Sequence, residues 1–148
     1  MFVRCVWWCL SLAIVSGCAP SAPVEELVPV SGTVRFGGQP TAGIRVLLVP
    51  DGATGGTGGF GVTDDEGKYT LLHRTQKEGV PPGKYSVHFS RFLMPDGKPI
   101  PSDVSPFTSG GKESIPPKWS DPTQKGPHNS VVVPEDGKTD LDFAIPKK

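Results

Sequence analysis

The sequence predicts an all-β protein, a β-sandwich of seven strands without a helix. Gly and Pro are frequent, with 19 glycines and 17 prolines among 148 residues, and beyond the N-terminal segment no stretch free of both exceeds 11 residues. Such short stretches exclude a helical bundle. In several of them apolar and polar residues alternate with the period of two that is typical of half-buried strands. Turn-forming residues separate these stretches, as they separate the strands of a β-sandwich. The candidate strands span residues 28–36, 44–49, 60–63, 68–73, 84–92, 129–133 and 140–145.

The first two candidate strands differ in their patterns. Residues 28–36 place Val30, Val34 and Phe36 on one face, which predicts a strand with that face toward the core. Residues 44–49 carry apolar side chains at both parities, as a central strand does. The sequence Gly-Gly-Gln-Pro between them predicts a turn.

A hairpin is predicted next. The short strand 60–63 and the strand 68–73 are separated by Asp-Asp-Glu-Gly, which ends at Gly67. This is the composition of a hairpin loop, in which glycine is free to adopt a positive φ. The sequence therefore predicts two antiparallel strands joined at this loop.

The last three strands repeat the alternation. In residues 84–92 the pattern predicts Tyr85 in the core and His88 on the outer, solvent-exposed face. Residues 129–133 and 140–145 complete the set, and an Asp-Gly turn lies between them. About twenty inward apolar side chains, at about 1.5–3 kcal/mol each, are enough to sustain a single core.

Four short motifs combine these strands and turns in one order. They are Val-Ser-Gly-Thr-Val at 30–34, Gly-Ile-Arg-Val at 43–46, Thr-Asp-Asp-Glu-Gly-Lys-Tyr at 63–69 and Pro-Gly-Lys-Tyr-Ser-Val at 82–87. In this order they resemble the carboxypeptidase regulatory-like, transthyretin-like family. The resemblance implies a Greek-key (prealbumin/transthyretin-like) β-sandwich over residues 28–148. It also implies a non-catalytic accessory or adhesive role.

The cysteines point to export. Cys5, Cys9 and Cys18 all lie in the first 18 residues, which excludes a scaffold stapled by disulfides. Arg4 precedes an apolar run of 11 residues, and small residues follow it. This order predicts a secretory signal peptide over residues 1–17. The run is shorter than the roughly 20 residues of a membrane-spanning helix.

The end of this segment is more specific. Val15, Ser16, Gly17 and Cys18 resemble the lipobox of bacterial lipoproteins. The resemblance implies cleavage after Gly17 and a lipid, including palmitate, on Cys18. It implies an extracytoplasmic protein anchored to a bacterial membrane, and Ala19 at the next position favours the outer membrane. An ordinary signal peptide that happens to end near a cysteine is the alternative.

Charge and composition restrict the partners. The full chain has 15 basic and 15 acidic residues, so it lacks the basic excess of a nucleic-acid binder. Residues 18–27 are small, Pro-rich and acidic, which predicts a semi-extended tether between lipid and domain. The predicted partners are the membrane, through the lipid at Cys18, and an envelope protein or a glycan.

The segment 93–127 is unusually long for a connection between two strands. It holds Trp119 beside Lys118 and Asp121, and an aromatic on a Pro-rich loop is able to stack on a sugar or anchor a peptide. These three residues are the candidate partner-binding set. The alternative is that Trp119 and Ile115 plug the open end of the sandwich.

No catalytic residue, metal ligand or cofactor site is predicted. Intradiol dioxygenases share the sandwich and hold iron with two Tyr and two His, and this chain has two tyrosines, Tyr69 and Tyr85. The places of both tyrosines in the alternation of their strands predict core positions instead. His73, His88 and His128 lack the paired H-x-H spacing and are predicted to be exposed. A metal-dependent enzyme is therefore the less favoured alternative. The favoured function is a non-catalytic, lipid-anchored interaction or envelope-structural module.

Overall fold

The computed structural model describes residues 25–52, 54, 56–100 and 104–147. This part of the chain consists of eleven short strands and one single-turn helix, so the all-β prediction is confirmed. Each of the seven predicted segments overlaps at least one of the strands. The elements are β1 (Ser31–Phe36), β2 (Gln39–Pro40), β3 (Arg45–Pro50), β4 (Gly59–Val62), β5 (Lys68–Thr70), β6 (Leu72–His73), β7 (Gly83–Ser90), β8 (Phe92–Leu93), β9 (Lys112–Glu113), α1 (Pro117–Ser120), β10 (Ser130–Val133) and β11 (Phe143–Ile145).

The strands form two main sheets and a small hairpin. In the first sheet β1 lies between β11, which runs parallel to it, and β2 and β5, which pair with its other side in antiparallel orientation. The second sheet is antiparallel with the order β10-β7-β3-β4-β6. Strands β8 and β9 form the hairpin.

The inner faces of both sheets share one hydrophobic cluster. In the second sheet Val46 pairs with Phe89 and Leu48 with Val87, and all four are at most 1% exposed. The ring of Phe89 lies edge to face against Phe143 of the first sheet, with 4.9 Å between centroids. The period-two pattern in the sequence thus corresponds to residues that meet between the sheets.

The predicted strand 68–73 divides between the two sheets. Its first part, β5, pairs with β1, whereas its second part, β6, pairs with β4. Leu71 between them is fully buried. Its N–H donates to the carbonyl of Val30 at 2.8 Å, and its carbonyl accepts from the N–H of Gly79 at 2.8 Å. The backbone groups at the crossing are therefore paired even though neither sheet ladder includes them.

Two glycines of β4 allow this crossing. A Cβ on Gly61 would lie 2.6 Å from the carbonyl oxygen of Thr70, and one on Gly59 would lie 2.9 Å from that of Leu72. Any side chain at either position would push the crossing segment away. The glycines between residues 56 and 61 are thus explained in part by close backbone packing.

The predicted turn at residues 64–67 is present, but the strands on either side of it, β4 and β5, do not pair with each other, since β5 pairs with β1. Gly67 has a φ of 73°, and its N–H donates to the carbonyl of Asp64. The carboxylate of Asp64 accepts the backbone N–H groups of Glu66 and Lys68 at 3.0 and 2.8 Å. This side chain therefore holds the turn together.

The long segment 93–127 has structure of its own in its described part. It contributes Leu93 to β8, all of β9 and the helix α1. The N–H groups of Trp119 and Ser120 donate to the carbonyl of Pro116. The sequence pattern predicted no helix; this was wrong by one turn, α1, which begins directly after Pro116. Within the described residues, no helix has the length and apolar character needed to cross a membrane.

Candidate functional site

The predicted lipidation residue, Cys18, and the predicted cleavage residues Val15, Ser16 and Gly17 lie outside the described residues. The structure therefore leaves these predictions as they stand. The described chain begins at Glu25, close to where the predicted tether ends.

Trp119 lies in the hydrophobic core. It is 9% exposed, and its ring makes edge-to-face contacts with Phe89 and His128 at centroid distances of 5.9 and 5.0 Å. Ile115, 2% exposed, is part of the same cluster. Of the two roles that the sequence left open for Trp119, the structure favours the plug, since little of the indole is left for stacking on a ligand.

Lys118 and Asp121, the other two members of the predicted binding set, form hydrogen bonds within residues 118–128. The carboxylate of Asp121 accepts hydrogen bonds from the hydroxyl and the N–H of Thr123, at 2.7 and 2.8 Å. These bonds lower the pKa of Asp121. The carbonyl of Lys118 lies 3.0 Å from Nε2 of His128. The structure therefore does not join Trp119, Lys118 and Asp121 into one exposed binding face.

The expectation that the strand histidines are exposed is wrong for two of them. His73 and His88 are each 4% exposed. His88 lies on the outer face of β7, as predicted, but it is buried there, and the charges of Asp121, Lys125 and His128 act on it. Burial lowers its pKa, with a smaller contribution in the same direction from Lys125. Its Nε2 lies 3.3 Å from Oγ of Ser86, and its Nδ1 has no hydrogen-bond partner among the described residues.

His73 fastens the start of the described chain to the second sheet. Its Nε2 lies 3.0 Å from Oε2 of Glu25 and 2.5 Å from the hydroxyl of Thr57. Its Nδ1 lies 2.9 Å from the hydroxyl of Thr75. The imidazole is therefore held by polar groups on both sides. We call this region, with Pro81 beside it, the tether end of the domain.

The two tyrosines occupy the core, as predicted. Tyr69 is 4% and Tyr85 1% exposed. Their hydroxyls donate to the carbonyls of Leu141 and Pro81, at 2.7 and 2.6 Å. Burial raises the pKa of both hydroxyls, so both remain protonated donors at neutral pH. Among the described residues no group of three His, Cys, Asp or Glu side chains is placed to hold a metal ion.

A pocket that the sequence analysis missed lies where the second sheet meets the segment 93–127. It has a volume of about 570 Å³ and is lined by the start of β3, the end of β7 and residues from the long segment. Arg45 and Arg91 are the charged residues among those that line it. Phe107 also lines the pocket and is 91% exposed. We call it the distal pocket.

The distal pocket and the tether end lie at opposite ends of the strands. Strand β7 starts at Gly83, just after Pro81 at the tether end, and finishes at Ser90, which lines the pocket. Eight residues of strand span about 23 Å from first to last. Strand β3 runs in the opposite direction, from Arg45 at the pocket.

Sequence reasoning missed the two arginines because they are 46 positions apart. Antiparallel pairing of β3 with β7 sets Arg45 opposite Ser90, so the side chain of Arg91, the next residue, lies on the other face of the sheet. The available signal was local: Arg45 is the one charged residue within the predicted strand 44–49, and Arg91 stands near the end of 84–92.

The chain matches no protein family and no curated protein. One solved structure is similar over 88% of this chain, the crystal structure of a 9R-lipoxygenase from Cyanothece PCC8801, with 15% sequence identity and a TM-score of 0.36. The chain spans 18% of that protein's length. A likeness of this degree carries no argument about the fold or activity of this chain.

Proposed function

We propose that this protein is a non-catalytic interaction or envelope-structural module, extracytoplasmic and held to a bacterial membrane by lipid on Cys18. The observation that carries the proposal is the sequence Val-Ser-Gly-Cys at 15–18, which follows a charged residue and an apolar run. The outer membrane is favoured where the host has one. The body is proposed to be the transthyretin-like Greek-key sandwich that its motifs resemble, and the shared core of its two sheets supports this.

The shape of the domain is consistent with such an anchor. From Cys18 to Glu25 the chain advances seven residues, so it reaches about 25 Å when fully extended. A lipid on Cys18 would therefore keep the tether end near the membrane surface. The distal pocket would then face away from the membrane, where an envelope partner has access.

Palmitate labelling of cells tests the anchor. We expect label in the wild-type protein and none in Cys18→Ser, because the thiol of Cys18 is the proposed attachment point. The matched control is Cys9→Ser, which removes a cysteine of the predicted signal segment and should label like the wild type. Label that persists in Cys18→Ser would contradict the assignment.

A second candidate function is a carbohydrate- or peptide-binding module that uses the segment 93–127. The observation that favours it is Phe107, a 91% exposed aromatic that lines a pocket with Arg45 and Arg91. Exposed aromatics beside charged groups are frequent in binding sites. In this form the proposal rests on Phe107 rather than on Trp119.

We do not propose a metal-dependent enzyme. An iron site like that of the intradiol dioxygenases would need the two tyrosine hydroxyls as ligands, whereas those of Tyr69 and Tyr85 donate to backbone carbonyls in the core. Metal analysis of the purified full-length protein tests this, and we expect substoichiometric iron and zinc. A stoichiometric metal that is lost in Tyr69→Phe would contradict the proposal.

A further inference from the structure

We propose that a second copy of this chain docks on the outer face of the second sheet, so that two lipid-anchored copies form a two-fold dimer on the membrane. This inference rests on the lipid anchor proposed above, because the anchor fixes how two copies meet. The same surface of each copy takes part, so the interface is isologous.

Four apolar side chains of β3, β4 and β6 lie on this outer face. The strand register sets Leu47 opposite Phe60, and Phe60 opposite Leu72. Val62 lies two residues from Phe60 and therefore on the same face. Leu47 is 41% and Val62 54% exposed, and Phe60 and Leu72 are half-buried. We call these four residues the outer apolar face.

The outer face of the first sheet is polar by comparison. Its outward residues include Ser31, Thr33 and Arg35 of β1, and Lys68 and Thr70 of β5. The open face of an antiparallel sheet is ordinarily polar, because its side chains remain in water. The first sheet follows this rule, and the second breaks it on β3, β4 and β6. A further surface that covers the outer apolar face accounts for the difference.

The exposed apolar surface continues from the strands onto the segment 93–127. Val104 and Phe107 are 38% and 91% exposed. They line the distal pocket together with Arg45 and Ser90, which lie opposite each other on the outer face of the second sheet. Four of the five large apolar side chains that are exposed in the described part of the chain thus lie on the outer apolar face or beside it.

The tether favours a second copy as the partner. Seven residues lead from Cys18 to Glu25, a reach of about 25 Å, so the anchor holds each copy with its tether end at the membrane. A two-fold axis along the membrane normal relates two such copies and brings the same face of each together at one height. Short tethers also raise the local concentration to roughly the millimolar range. A partner without an anchor gains neither advantage.

Cysteine crosslinking of the lipidated protein in cells tests the inference. Val62→Cys places a thiol on the outer apolar face, and a short bismaleimide joins two such thiols where the faces meet. We expect a covalent homodimer from Val62→Cys. The matched control is Arg35→Cys, at an exposed position on the first sheet, which should give none, and the wild type shows what its own cysteines contribute.

Three results of the crosslinking would overturn the inference. They are the absence of a homodimer from Val62→Cys, an equal yield from Arg35→Cys, and a product with a different protein in place of the homodimer. The last result would assign the face to another partner.

A charge on the outer apolar face should break the dimer. Sedimentation equilibrium of the full-length Cys18→Ser variant at about 1 mM should show a dimer without the lipid. Val62→Glu in this background should raise the dissociation constant by about tenfold or more, because a two-fold interface brings the two introduced carboxylates together. The matched control, Arg35→Glu, should dimerise like the parent. A monomeric parent, or an equal loss in Arg35→Glu, would contradict the proposed face.

Unfolding temperatures keep this test interpretable. Val62→Glu should melt within about 4 °C of the parent, since the side chain is 54% exposed. Phe107→Ser changes a 91% exposed side chain and should weaken the dimer without any effect on unfolding. Unchanged dimerisation in both variants would overturn the inference.

Flotation with vesicles of phosphatidylethanolamine and phosphatidylglycerol distinguishes a second copy from the lipid surface itself. In the Cys18→Ser background, Val62→Glu should float like its parent. Flotation of the parent that is lost in Val62→Glu would assign the face to lipid and overturn the inference. Palmitate labelling reports on the anchor alone, so an unlabelled protein that still dimerises is distinguishable from a labelled protein that stays monomeric.

Discussion

The hydroxyl of Tyr69 donates a hydrogen bond of 2.7 Å to the carbonyl oxygen of Leu141. Both residues are at most 5% exposed, and 72 positions separate them. A Cβ on Gly32 would overlap the same carbonyl oxygen. One backbone group thus accounts for two residues of the sequence motifs, the tyrosine that reaches it and the glycine that leaves room for it.

Removing the hydroxyl should destabilise the domain. In Tyr69→Phe the carbonyl of Leu141 loses this donor inside the core, and a buried polar group left unpaired costs about 1–3 kcal/mol. Chemical denaturation should show a lower free energy of unfolding by that amount. The control is Thr70→Val on the exposed side of the same strand, which should change it by less than about 0.5 kcal/mol. A Tyr69→Phe protein as stable as the control would contradict this role.

Gly32→Ala should be more damaging than its size suggests. The added methyl group meets backbone, the carbonyl of Leu141, and backbone is less able to move aside than a side chain. We expect a loss of about 3 kcal/mol, measured by thermal or urea unfolding. Gly52→Ala is the matched control, since a Cβ there meets nothing within 4 Å. Equal stability of the two variants would show that Gly32 does not need to be glycine.

The buried position of Trp119 predicts a stability effect. Trp119→Ala should lower the free energy of unfolding by about 3–5 kcal/mol, because it removes a large ring from contact with Phe89 and leaves a cavity. Phe107→Ala, which truncates a 91% exposed ring, should leave the melting temperature within about 2 °C of the wild type. If Trp119→Ala melted like the wild type, the indole would not be part of the core.

Stability should fall in mild acid because of His88. Folding lowers its pKa from 6.5 through burial, so near and below that pH the unfolded chain binds more protons than the folded chain. The contribution of the neutral imidazole is complete above about pH 6.5. It is lost as the pH falls from there through the lower pKa of the folded state.

Urea unfolding at several pH values between 5 and 7 measures this effect. The free energy of unfolding should rise with pH across the window, and His88→Gln should reduce the slope because it cannot be protonated. His128→Gln should keep the part of the slope that comes from His88. An unchanged slope in His88→Gln would show that another group is responsible.

Much of the strand pattern was predictable, and the exceptions have physical causes. The alternation in residues 84–92 predicted the core position of Tyr85, but not the burial of His88. Alternation reports which face of a strand a residue occupies, not whether another segment covers that face. Likewise, the continuous pattern of 68–73 predicted one strand, because a change of sheet at Leu71 leaves the alternation of side chains largely intact.

The candidate site was less predictable than the fold. Trp119 stood out in the sequence by its residue type, and its burial depends on α1 and on contact with Phe89. Arg45 comes to lie opposite Ser90 only through the register of two strands. Phe107 is one of seven phenylalanines in the chain, and nothing local distinguishes it from those in the core.

The sequence by itself determined the all-β class and the turns, because both depend on neighbouring residues through backbone preferences and alternation, and it predicts an export signal from the order of charge, apolar run and cysteine. The tertiary structure alone decided which sheet each strand joins, that His88 is buried, and that residues of β3, β7 and the segment 93–127 meet at one pocket. These depend on contacts between distant residues, whose free energy comes from packing and pairing that no local pattern records.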